Sequence, residues 1–187
     1  MRKNFGPKTM LYPMPVLILG TYNPDGTPNA MNAAWGGIVD TQLIGICLGE
    51  DHRTTKNILE RKAFTVSMAD AGNVIAADYV GIVSGNDVPD KLAKAGWHTT
   101  KSEFVDAPLI DELPMALECE FVSYDDATGL TIGRIVNICA EEHILTEGKI
   151  DLTKFRPITY DSAGHGYYTL GERVGNAFSD GKKLQDD

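Results

Sequence analysis

Cysteine is scarce in this 187-residue chain: Cys47, Cys119 and Cys139 stand far apart, and no CxxC spacing occurs. That removes support for a zinc knuckle, an iron–sulfur site or a thioredoxin-type redox motif. An odd, sparse count fits a reducing compartment. Each cysteine sits in an apolar or alternating stretch, so all three are expected to be buried structural thiols. Long apolar runs are lacking too, and none approaches the ~20 residues that span a bilayer. The apolar residues 16–19, behind Met1-Arg2-Lys3, imitate a signal peptide only faintly, because Pro13 and Pro15 interrupt the lead and Gly20-Thr21-Tyr22 continues as a strand; a cytoplasmic protein is expected. Positive charge is in the minority. The 17 basic against 26 acidic residues leave a net charge of −9, which opposes general attraction to nucleic acid or to a membrane surface, so any bound phosphate must rely on local donors. The four histidines (His52, His98, His143, His165) are dispersed, with no Ser-His-Asp or Cys-His set, and neither a catalytic residue nor a metal ligand is assigned. A GxGxxG after a strand is absent as well, which disfavours a separate Rossmann site.

What is present is an ordinary globular composition, 43% hydrophobic and 23% charged, enough for one substantial core; residues 1–187 are read as a single domain. Pro7, Pro13 and Pro15 give residues 1–15 an extended arm. Residues 16–22 read as a strand ending at the turn Asn23-Pro24-Asp25-Gly26, with residues 29–39 as its hairpin return and residues 43–48 as a strand buried on both faces. A helix follows over 54–62, with Asp51 or Thr54 as its N-cap, then a strand over 64–68, a helix over 74–83 and another over 90–95 closed by Gly96. Residues 97–114 read as loop. Residues 115–124 alternate as a half-buried strand and residues 130–144 return beside them. An aromatic, glycine-punctuated tail (151–171) without helical period and a frayed polar end (179–187) complete the chain. Six strands and two or three short helices, without βαβ alternation, predict a mainly β antiparallel barrel with helical insertions.

Two segments stand out. In Pro28-Asn29-Ala30-Met31-Asn32-Ala33-Ala34-Trp35-Gly36-Gly37, small residues and amides occupy a strand where large β-branched ones would favour a sheet, leaving backbone open to something flat. Asp51-His52-Arg53-Thr54-Thr55-Lys56-Asn57-Ile58 gathers two cations and two hydroxyls at a helix start, where free N–H groups and the dipole favour an anion. Close packing of sheet layers and an ordinary capped helix would explain each segment alone. Together they suggest a planar ring with a phosphate, as in flavin mononucleotide (FMN).

These two segments, Ala107-Pro108-Leu109-Ile110 ahead of Leu117-Glu118-Cys119, and the Tyr160/Tyr168-Leu170-Gly171 tail resemble, in order and spacing over nearly the full length, the flavin reductase-like, FMN-binding split-barrel family, and within it the flavoredoxin branch. The resemblance implies an antiparallel, Greek-key-like FMN-binding split β-barrel, a homodimer with FMN near the subunit interface. It implies that the strand carrying Asn29, Met31, Asn32, Ala33, Ala34 and Trp35 lies along the ring and ribityl chain, that Arg53, Thr54, Thr55 and Lys56 take the phosphate, and that Lys91 approaches the cofactor, although its own surroundings read as a solvated helix. The implied activity is that of an FMN-dependent oxidoreductase moving electrons from NAD(P)H or a donor protein to an acceptor. The alternative is a non-catalytic FMN-binding or ligand-sensing module. Family members that use a nicotinamide often carry a histidine near the later hairpin; here Thr128-Gly129-Leu130 stands there, which leaves NAD(P)H as a co-substrate open.

Overall fold

In the computed structural model, which describes residues 1–185, the extended arm leads through β1 (Met14–Pro15) into β2 (Leu17–Tyr22). The Asn23–Gly26 turn then closes as its residues dictate. Asp25 accepts from the backbone N–H and hydroxyl of Thr27 at 3.0 and 2.7 Å, Gly26 supplies φ +85°, and β3 (Pro28–Ala33) pairs with β2 from Tyr22↔Pro28 to Leu17↔Ala33. There follow β4 (Gly36–Asp40), β5 (Leu43–Cys47), α1 (Arg53–Arg61), β6 (Ala63–Met68), α2 (Val74–Ile82), α3 (Lys91–Lys94), β7 (Thr99–Lys101), β8 (Pro108–Ile110), β9 (Met115–Asp125), β10 (Leu130–Ala140), β11 (Leu145–Thr146), β12 (Lys149–Ile150), α4 (Leu152–Phe155), β13 (Ile158–Asp161) and β14 (Gly166–Thr169).

The single strand expected over 29–39 is two strands, and they lie at opposite ends of the main sheet, whose order is β3-β2-β6-β9-β10-β5-β4. Only Ala34 and Trp35 join them. The three Cα–Cα steps from Ala33 to Gly36 reach about 11 Å, whereas seven strands laid flat would put the outer ones roughly 29 Å apart; the sheet must therefore curl until its edges meet. This is the expected mainly β, split-barrel architecture. The Trp35 carbonyl has left the β3 ladder and accepts from the Cys47 N–H at 2.8 Å. At Gly36 a Cβ would stand 2.9 Å from Ile46 Cγ1 and 3.0 Å from the Gly45 carbonyl, so the crossing needs a glycine.

Alternation along β2 feeds two apolar layers. Leu17 and Leu19 face the barrel interior with Ile46, Phe64, Val66 and Leu117, while Val16 before β2 and Ile18 within it pack under α2 and α3 with Val80, Leu92 and Trp97. Other expectations need correction. Residues 97–114 contain the β7–β8 hairpin, and the tail holds α4 and the β13–β14 hairpin, because short edge strands carry too few residues to show a period. The strand after the Asp125–Gly129 turn ends at Ala140, before a 3₁₀ turn at Glu142–Ile144. Residues 116–119 of β9 are buried on both faces instead of alternating, since the segment after β7 covers the outer face and Ser102 donates to Glu118 at 2.5 Å. Cys119 is wholly buried, which pushes its thiol up to about 12, but Cys139 is half-buried and Cys47, at the end of β5, is exposed. The polar end forms an exposed 3₁₀ turn over Asp180–Leu184, and residues 186–187 lie outside the described residues.

Candidate functional site

The α1 N-terminus projects beside β3. Its cap position is His52, not Asp51 or Thr54, and no side chain caps it. The first helical N–H groups therefore find no acceptor within the helix. Thr54 is 2% exposed, and its hydroxyl oxygen accepts from Asn29 Nδ2 at 2.8 Å. The same Asn29 amide donates to Thr21 at 3.2 Å. Because its oxygen is engaged by Asn29, the Thr54 proton is left to donate outward.

Opposite α1 lie the end of α2 and the Ser84-Gly85 turn. Their close approach requires glycine: at Gly81 a Cβ would stand 2.9 Å from the Asn32 Cβ, and at Gly85 it would fall on the Asn29 carbonyl oxygen. Between the two walls is a cavity of about 260 Å³ lined by Met31, Asn32, His52, Arg53, Thr54, Val80–Gly85 and Lys91. Lys91 is the decisive side chain. It is 3% exposed and donates to the Val80 and Val83 carbonyls at 3.2 and 2.9 Å. Among the described residues no carboxylate pairs with it, and burial lowers its pKa to about 8. An ammonium has three donors, so one remains for the cavity. A buried cation without a counter-ion is costly, and an anion in this cavity would offset that cost.

A second cavity, of about 420 Å³, continues along β3 past the shared Asn32, Gly81 and Ile82 to Val16 and Ala34, where Asp78, Tyr160, His165 and Tyr167 form the far wall. Tyr167 donates to Asp78 at 2.7 Å, tying β14 to α2, and burial, then the Asp78 bond, push its phenol up to about 12. From Asn29 to Ala34 the strand covers about 16 Å, so the two cavities form a trough with cations at one end and aromatic rings at the other. Those are the donors and surfaces that a phosphate and a flat ring need, and the trough fits FMN on this ground.

The residues expected at the site divide accordingly. Met31, Asn32, Ala34, Arg53, Thr54 and Lys91 line the trough. Asn29 is buried behind Thr54, and Ala33 faces the barrel interior. Thr55 turns back to donate to the Gly49 carbonyl at 2.7 Å, Lys56 is exposed to solvent, and Trp35, 58% exposed, lines neither cavity. Lys91 is buried where its own helix had read as solvated. Ser84, Gly85, Asp78, Tyr160, His165 and Tyr167 were not anticipated. They come from a turn, from α2 (Asp78) and from the tail, and only the aromatic, glycine-punctuated composition of the tail hinted at its members.

The family model described as "Flavin reductase like domain" matches residues 9–166. Among solved structures, the chain is similar to flavoredoxin of Desulfovibrio vulgaris (Miyazaki F), at 38% identity and a TM-score of 0.93, covering 97% of this chain and all of that one. It is similar also to flavoredoxin from Methanosarcina acetivorans, at 30% identity and a TM-score of 0.89 over 98% and 99% of the two chains. An uncharacterized protein of Aeropyrum pernix is 30% identical over 121 residues, which make up 63% of this chain and 45% of that protein, so the chain spans about half the length of that relative.

Proposed function

The chain belongs to the flavin reductase like domain family, and from that premise we propose that it is an FMN-binding oxidoreductase that moves electrons from NAD(P)H or a donor protein to an acceptor. The observation that carries this reading is the buried Lys91, with no carboxylate partner among the described residues, beside Arg53, Thr54 and the α1 N-terminus. Arg53, Lys91, Thr54, Ser84 and the helix N–H groups would hold the phosphate, with charge-assisted bonds contributing most. The trough along Asn32 and Ala34 to Tyr160 and Tyr167 would hold the ring. Bound FMN accepts and donates a hydride or single electrons; the protein's part is to hold it, tune it and control access.

The test is an absorption spectrum of the protein after incubation with FMN and desalting, followed by anaerobic NADH and then NADPH. Retained flavin bands that bleach with a nicotinamide establish the reductase. Bands that bleach only with dithionite or a partner protein favour a carrier or a non-catalytic sensor, and loss of the flavin on desalting points to a dissociable substrate.

We propose in addition that the protein is a homodimer. Across the barrel from α1, an open groove of about 610 Å³ is lined by Leu17, Ile38, Ile44, Leu117, Val136 and Ile138. Exposed Ile38, Val136 and Ile138 make this face more apolar than a free surface ordinarily is, and a self-complementary patch of this kind suits a two-fold interface.

A further inference from the structure

The far wall of the ring end pairs two groups, of which the flavoprotein reading uses only the ring of Tyr160 and neither its hydroxyl nor His165. Tyr160 of β13 is half-buried and lines the cavity, and its hydroxyl lies 2.9 Å from Nδ1 of His165, which is exposed at the hairpin tip. His165 is held there at a cost. It sits between Gly164 and Gly166, yet itself takes φ +54°, the left-handed region where a non-glycine residue loses about 1 kcal/mol. The hairpin that carries it is pinned on both sides: Tyr167 to Asp78 of α2, Tyr12 of the arm to Asp161 at 2.6 Å, and Ser162 to the Thr9 carbonyl at 2.6 Å. A glycine would sit in that backbone without strain, whereas an imidazole there spans solvent and cavity.

We propose that His165 and Tyr160 form a proton path from solvent into the ring end of the trough, serving acceptors of the quinone or conjugated-carbonyl class. The proposal rests on the FMN reading above. Bound, reduced FMN would supply the hydride to one atom of the acceptor, and the Tyr160 hydroxyl would supply the proton to its oxygen. The phenolate left on Tyr160 takes the Nδ1 proton of the His165 imidazolium, and solvent water reprotonates the imidazole. With His165 protonated, Nδ1–H donates to the Tyr160 oxygen and frees the phenol proton for the cavity; with His165 neutral, the phenol donates to Nδ1 and is withheld. The titratable groups facing His165 are Tyr160 and Asp161 on β13, Tyr167 on β14, Asp78 on α2 and, through Asp161, Tyr12 on the arm.

The FMN-loaded protein, reduced with dithionite, is mixed with benzoquinone and, separately, with ferricyanide, a one-electron oxidant that takes no proton. Tyr160→Phe is expected to lower the quinone-to-ferricyanide rate ratio by about 10²-fold. His165→Asn, which tolerates the left-handed backbone, should lower it too and abolish the decline of the quinone rate with rising pH. In the flavin-free protein, the NMR resonance of His165 Nδ1 should move in Tyr160→Phe, because its 2.9 Å partner is lost. An unchanged ratio with flavin bound, or an identical Nδ1 resonance in the two proteins, overturns the proton path alone. A wild type that binds no FMN by fluorescence titration rejects the FMN reading, and the path with it.

Discussion

The two concave faces of the barrel differ in what they leave unsatisfied. Beside α1 the cavity is small, and its cations and N–H donors converge with no acid among the described residues to meet them. Across the barrel the groove is larger and open, and it is apolar along nearly its whole wall. Converging donors with no acceptor call for a small anion, because buried charge is costly unless it is paired. An open apolar face calls for another surface, because only a large, shape-matched partner removes it from water. One side of the fold is thus suited to a ligand and the other to a second copy.

Lys91→Met should separate the faces most sharply. It removes a cation at the ligand face only, so the FMN dissociation constant should rise by at least ~30-fold by fluorescence titration, while the mass in solution stays unchanged. The pH dependence has a definite sign. An ordinary lysine titrates near 10.4 and Lys91 about 8. Between these values the unfolded chain holds a proton that the folded, flavin-free protein has lost. Stability should therefore rise with pH across this window, as checked by urea unfolding. FMN affinity should fall as pH rises past 8, and Lys91→Met should remove that dependence.

Ile138→Asp addresses the opposite face. Ile138 is 53% exposed, so the fold should survive while sedimentation reports one 20.3 kDa chain in place of two; a wild type that sediments as one chain at micromolar concentration sinks the homodimer. Arg53→Ala should weaken FMN about tenfold or more, and Lys56→Ala, at an exposed position outside the cavity, less than about twofold. Equal effects would return the phosphate to the outer face of α1. The smallest change is expected for Gly85→Ala: its Cβ presses on Asn29, costing about 1–2 kcal/mol of stability and a few-fold in affinity, both readable by thermal shift with and without FMN.

Much of this was legible residue by residue. The Asn23–Gly26 turn, the β2–β3 hairpin and the three main helices follow from turn chemistry and period, and the small residues of β3 together with the α1 start marked one side of the trough. The other side was not legible. Lys91 has the look of a surface helix lysine until α2 is folded over it, and the Val80 and Val83 carbonyls that receive it are eleven and eight residues away. Thr54, Thr55 and Lys56 are consecutive, yet one lines the cavity, one turns back to its own loop and one meets solvent, because successive helix residues point about 100° apart.

By itself the sequence determined the class of fold, the positions of most elements and the chemistry of one wall, since turns, caps and alternation act over a few residues. Only the tertiary structure decided that one apparent strand is two at opposite edges of a curled sheet, that Lys91 is buried against the Val80 and Val83 carbonyls, and that the C-terminal hairpin supplies Tyr160, His165 and Tyr167 to the same trough. Each of these depends on segments distant along the chain being brought together, and no local pattern records which distant backbone a side chain will meet.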